Sequence, residues 1–159
     1  MGETTVRLAG PGDLDVLAEL NAALFAEDSG TRDPFLDQTW PVREARGYFA
    51  AALDDGANVV VYVADAGDAG TVGYLIGRLH APNSMRPVLT GELESMYVRP
   101  PNRSSGTGSL LVRAFLRWAD ECRVGRVAVT AYAANEGAIR FYGRFGLRPK
   151  SVTLDAARS

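Results

Sequence analysis

The sequence predicts a single mixed α/β domain over residues 1–159. Its sheet is mostly antiparallel and flanked by helices, in the order β-α-α-β-β-β-α-β-α-β. Three observations carry this expectation. With 47% hydrophobic and 23% charged side chains, 159 residues suffice for one core and are too apolar for a disordered chain. Three β-branched or apolar runs follow one another between residues 59 and 98, each bounded by turn residues. Around them lie segments whose apolar residues recur at helical spacing, and no repeat or low-complexity linker divides the chain.

In order, residues 4–9 read as a short strand, and Gly10-Pro11-Gly12-Asp13 opens a helix with Pro early and an acid in its first turn. Leu14, Leu17, Leu20, Ala23 and Leu24 give that helix its apolar face, and residues 27–38 read as a loop. A second helix follows Pro41, buries Ala45, Phe49 and Leu53, and stops by Asp54-Asp55-Gly56. The near-continuous apolar run 59–64 suits a strand buried on both faces, and 71–80 forms a hairpin with it. After a loop at 81–90, residues 91–98 form the next strand, ending at Pro100-Pro101. Leu110, Leu111, Ala114, Phe115, Trp118 and Cys122 mark a long amphipathic helix, with Cys122 expected to be buried. A strand at 126–132, a helix at 135–145 and a last strand at 151–155 complete the order.

Composition excludes several classes. The longest apolar run is too short to cross a bilayer, and the N-terminus has no signal-peptide pattern. Met1-Gly2 resembles a myristoylation start, but Val6 occupies the position where that motif wants Ser or Thr. One cysteine and one histidine rule out an internal disulfide and argue against a Cys/His zinc site, so the expectation is a cytoplasmic, metal-free protein. A net charge of −2 argues against nucleic-acid binding. The distribution is uneven: residues 1–80 hold 5 basic and 13 acidic side chains (−8), residues 81–159 hold 12 and 6 (+6). That split suits a cationic ligand near the first half and an anionic one on the second.

The most informative stretch runs from strand to helix: Val98-Arg99-Pro100-Pro101-Asn102-Arg103-Ser104-Ser105-Gly106-Thr107-Gly108-Ser109. A helix N-terminus offers free amides and partial positive charge, and glycines let a phosphate come close. Arg103 adds a forked cationic donor. A nucleotide P-loop is excluded because no lysine follows Gly108, and a dinucleotide fingerprint because Leu111 stands where a third glycine belongs.

The run 92–100, then Arg103-x-x-Gly106-x-Gly108 and an apolar helix, resembles the GNAT superfamily of N-acetyltransferases. So does Asn135-Glu136-Gly137-Ala138-Ile139-Arg140-Phe141-Tyr142-Gly143-Arg144-Phe145-Gly146-Leu147, at the expected distance downstream. The resemblance implies a GNAT-like fold and acetyl-CoA as acetyl donor. By that likeness the backbone of Ser104, Ser105, Gly106, Thr107, Gly108 and Ser109 would wrap the pyrophosphate, beside Arg103. Met96, Tyr97 and Val98 would offer main-chain groups to the acetyl and pantetheine parts, Asn135 would bond the pantetheine arm, and Tyr142 would lie near the sulfur. Ser104, Ser105 and Asn102 depart from the commoner pattern of the family.

Acetyl transfer to an amine needs a neutral amine and a protonated leaving thiolate. An alkylamine of pKa about 10.4 is charged at neutral pH, so a proton must be taken up. Glu92 and Glu94, two apart on one strand, are the candidate bases, and Glu94 matches the family's strand glutamate better. Tyr142 is the candidate acid, a role that competes with simple packing of its helix; Asn135 also suits an N-cap. His80 reads as a surface residue. The expected acceptor is a small cationic amine drawn to Glu27, Asp28, Asp33 and Asp37, with a protein N-terminus or lysine, or a non-catalytic acyl-CoA sensor, as alternatives. A homodimer is compatible with this reading.

Overall fold

The computed structural model describes residues 3–159; Met1 and Gly2, where the myristoylation-like start falls, lie outside the described residues. Because β2 (Val59–Asp65) is apolar on both faces, it sits inside the sheet, antiparallel to β1 (Thr5–Leu8) on one edge and to β3 (Thr71–His80) on the other. β4 (Thr90–Val98) continues the antiparallel order, and β5 (Arg126–Val129) joins it in parallel, giving β1-β2-β3-β4-β5.

Two helical layers cover the sheet. On one face α1 (Leu14–Leu24) and α3 (Arg46–Asp54) bury Leu17, Leu20 and Phe49 against Val61, Tyr74 and Ile76. On the other, α4 (Thr107–Glu121) sets Leu111 and Phe115 against Val72, Leu75 and Leu93. The close seating of α4 depends on missing side chains beneath it: a Cβ on Gly77 would stand 2.9 Å from the Phe115 ring. A short α5 (Glu136–Gly143) follows β5 and has no fully buried residue. No helix among the described residues is long and apolar enough to cross a membrane.

Four expectations need correction. The segment 27–38 does not begin as a loop: α1 runs on through a π-helical turn, Phe25–Ser29, into α2 (Gly30–Arg32). The Asp28–Arg32 pair at 2.7 Å and the Thr31 hydroxyl donating to the carbonyls of Glu27 and Asp28 hold that extra turn. β5 ends at Val129 rather than Tyr132. Residues 151–155 form no ladder, although their alternation is strand-like, because β5 pairs with β4 alone; Val152 is 67% and Leu154 91% exposed. Cys122 is only half-buried because α4 ends at Glu121, leaving it at the cap.

The irregularity that matters most lies in β4. Ile76 pairs with Ser95 and Gly77 with Leu93, which leaves Glu94 as an extra residue in a β-bulge. Nearby, β3 approaches so closely that a Cβ on Gly73 would meet the Tyr97 carbonyl oxygen at 2.9 Å. Gly73→Ala should therefore destabilise the fold by about 1–3 kcal/mol, read as a lower midpoint in urea denaturation; an unchanged midpoint would show that the strands can part without cost.

Candidate active site

β4 and β5 pair only from Thr90↔Arg126 to Leu93↔Val129. Beyond Leu93 the far edge of β4 has no ladder partner among the described residues, and a broad cleft opens between the strands. Its walls are β4, β5, the glycine turn, α5, and the end of α1 with Trp40 and Tyr48. Of the residues singled out in the sequence, Glu92, Glu94, Met96, Tyr97, Val98, Arg103, Ser104, Gly106, Gly108, Ser109, Asn135 and Tyr142 all line it. Ser105 and Thr107 do not. The Ser105 hydroxyl donates to the Asn102 carbonyl at 2.7 Å and lies 3.3 Å from the buried Thr107 hydroxyl, so the two brace the turn from behind.

The turn itself is strained in a particular way. Gly106 caps α4 with φ +89°, a left-handed conformation natural to glycine, and Ser104 adopts φ +66° without being one. The first amides of any helix have no intrahelical acceptor, so the start of α4 offers free N–H groups beside this turn. Gly108 serves a second purpose. A Cβ there would lie 3.3 Å from the Phe141 ring, so its bareness lets α5 close on α4.

Arg103 does not stand free. Its Nη1 and Nη2 donate to the two Glu27 oxygens at 2.6 and 2.8 Å, and its Nε donates to the Val98 carbonyl at 2.8 Å. The Tyr97 hydroxyl donates to the same carboxylate at 3.0 Å, and the guanidinium lies 5.2 Å from the Tyr97 ring centre. Arg103 foremost, with help from Tyr97, holds the Glu27 carboxyl below the usual carboxylate range.

The two strand carboxylates have different surroundings. Glu94 accepts from the Tyr48 hydroxyl on one oxygen and from Arg78 Nε on the other at 2.9 Å. Glu92 meets His80 Nε2 at 2.9 Å through Oε1 alone. His80, read from sequence as plain surface, is thus half-exposed but joined to a cleft carboxylate. Tyr142 hangs from α5 into the cleft. Burial, with smaller contributions from Asp28 and Tyr74, pushes its phenol up to about 12. Asn135 caps α5, its side-chain oxygen accepting from the Ala138 amide at 3.1 Å.

The acidic group predicted on the acceptor side is only partly in place. Glu27, Asp28 and Asp33 line the cleft; Asp37 lies outside it, paired with Arg43 and capping the Thr39 amide. With Glu27 held by Arg103 and Asp28 by Arg32, Asp33 is the member of this group that lines the cleft without an ion pair among the described residues. One feature had no signal in the sequence. Asn21 donates to the Tyr74 hydroxyl at 3.1 Å, Tyr74 meets the Ser95 hydroxyl at 2.9 Å, and Asn21 Oδ1 lies buried at the cleft with no partner among the described residues.

The sequence profile described as "Acetyltransferase (GNAT) family" matches residues 15–147, from α1 through the turn after α5. The chain belongs to this family. An aminoglycoside N(6')-acetyltransferase type 1 from Stenotrophomonas maltophilia is 30% identical over 116 residues, which cover 72% of this chain. The matched part spans 66% of that relative's own length. Among solved structures, a tetramutant of the BH1408 protein from Bacillus halodurans superposes with a TM-score of 0.85 at 22% identity, covering 97% of this chain and 99% of the other. A predicted acetyltransferase from Clostridium acetobutylicum, solved with acetyl-CoA, gives 0.74 at 16% identity over 98% and 96%. At those identities the structures bear on the fold alone, and they share this GNAT chain's fold.

In this GNAT turn, Gly106→Ala meets no neighbouring atom, so its cost is purely conformational. It should lower stability by about 1 kcal/mol, seen as a shifted urea midpoint with an unchanged slope. No shift at all would mean that the turn accepts another backbone path.

Proposed function

We propose that this chain transfers the acetyl group of acetyl-CoA to a primary amine by direct attack within a ternary complex, the acceptor being a small cationic amine. The observation that carries the reading is one continuous cleft that joins the amides at the start of α4, the free edge of β4, Tyr142 and the strand carboxylates. The residues present fit the coenzyme. The turn offers backbone amides and positive dipole to a pyrophosphate, and the unpaired β4 edge at Met96 to Val98 can bond a pantetheine arm as a neighbouring strand would. The Asn135 side-chain amide keeps its N–H donors after capping α5.

Acetyl-CoA, once bound, supplies a thioester carbonyl and a thiolate leaving group. Tyr142 stays protonated at working pH, since its phenol lies at about 12, and so donates a proton to the departing sulfur. Both oxygens of Glu94 are already engaged, so this side chain orients Tyr48 and Arg78. Glu92 keeps one oxygen without a partner among the described residues and lies beside His80, which makes it the better base, taking the ammonium proton through water. Asn21 Oδ1 offers an acceptor for an amine N–H without adding charge, and Asp33 attracts the cation. The name of the Stenotrophomonas relative supports an amine acceptor.

The test is thiol release from acetyl-CoA across a panel of amines, with acetyl-CoA binding followed by thermal shift. Binding should raise the melting temperature, and a small cationic amine should be the best acceptor. Tyr142→Phe should cut turnover roughly a hundred-fold with little change in the KM for acetyl-CoA; a fully active variant would assign the ring to packing. Asp33→Asn should raise the amine KM several-fold and leave that for acetyl-CoA alone. Binding without thiol release from any amine would instead indicate an acyl-CoA sensor.

A further inference from the structure

Glu27 and Arg103 meet across 76 residues of sequence. Glu27 sits in the π-helical turn Phe25–Ser29, on the wall expected to face the acceptor, and Arg103 opens the turn expected to hold the pyrophosphate. We propose that Glu27 is a positioning residue for the cofactor turn, setting coenzyme A affinity through Arg103 rather than attracting the acceptor amine. The inference rests on the acetyl-CoA reading above.

The turn needs such an anchor. Ser104 and Gly106 both have positive φ, and the bonds around them are local: Asn102 N to Arg99 O at 2.9 Å, Arg103 N to Pro100 O at 3.2 Å, and the Ser105 hydroxyl to Asn102 O. Arg99 ties the start of this loop to α1, its Nη2 donating to Glu19 at 3.0 Å, and Arg103 ties the part next to Ser104 and Gly106, with each terminal nitrogen on its own Glu27 oxygen and Nε on Val98. A guanidinium has five N–H donors. Three are used in these bonds, so each terminal nitrogen keeps one N–H that can meet a phosphate oxygen while the clamp stays closed. A turn held in its receiving conformation loses less freedom on binding, which tightens affinity.

The sign of the effect separates this role from plain electrostatics. Glu27 is an anion near the place of a polyanionic ligand, so by Coulomb's law alone its removal would strengthen coenzyme A binding. A clamp predicts the reverse. Glu27→Asp sharpens the contrast, because it keeps the charge but shortens the reach to Arg103.

The experiment measures the coenzyme A dissociation constant by calorimetry for the wild type, Glu27→Gln, Glu27→Asp and a control, Asp15→Asn, which breaks the exposed Asp15–Arg46 pair between α1 and α3. Melting temperatures of the free proteins confirm folding. Glu27→Gln and Glu27→Asp should each weaken binding roughly three- to thirty-fold, and Asp15→Asn should not. Equal or tighter binding by Glu27→Gln, or wild-type binding by Glu27→Asp, overturns the clamp and leaves the acetyl-CoA reading standing. A wild type that binds no coenzyme A overturns both. Should Glu27→Gln fail to fold, Glu27→Asp decides alone.

Discussion

The parting of β4 and β5 is the constraint on which the rest of the site depends. β4 is nine residues long and β5 four, and they are bonded over only four positions, so the remainder of β4 presents backbone N–H and C=O groups to the cleft. An unpaired strand edge is ordinarily a liability that a protein covers or blunts. Here a bulge at Glu94 bends the strand at the start of the free edge, and the chain then turns through Pro100–Asn102 into α4. The edge and the helix N-terminus are thereby set in sequence along one wall. Backbone groups supply both, which is why substitutions such as Ser104 and Ser105 leave the amides in place.

Charge in the cleft is organised by pairing more than by quantity. The acidic first half of the chain looked like a field for a cation. In the fold most of its cleft carboxylates are already committed: Glu27 to Arg103 and Tyr97, Asp28 to Arg32. What that half leaves for an acceptor, among the described residues, is one carboxylate, Asp33, and one orphaned oxygen, on Asn21. A buried acceptor without a donor costs about 1–3 kcal/mol, and a ligand or water N–H or O–H that satisfies it recovers that cost.

Much of the fold was legible because it is written locally. β2 announces itself by six consecutive apolar residues, α4 by apolar residues at helical spacing, and the cap of α5 by an Asn placed before its first turn. The glycine turn was legible as well, since Gly106 at φ +89° is a backbone requirement that a sequence records directly. The misreadings have two origins, local side-chain contacts that override composition and contacts far apart in sequence. The turn from Glu27 to Arg32 is helical because an i,i+4 ion pair and a Thr hydroxyl offset its Gly and Ser. Residues 151–155 have a strand's alternation but find no pairing edge, and no local pattern reports that. Arg103 with Glu27, Tyr48 with Glu94 and Tyr74 with Ser95 are 76, 46 and 21 residues apart, so only the folded chain brings them together.

The central claim is that the start of α4 and the free edge of β4 form one coenzyme A site. Amide-resolved NMR titration with coenzyme A tests it most directly, because the groups at issue are backbone N–H. The account predicts that the largest shifts fall together on residues 104–109 and 96–98, with Asn135 and Tyr142 following and β1 and β2 unmoved. Shifts confined to another face of the sheet, or none at millimolar ligand, would contradict it.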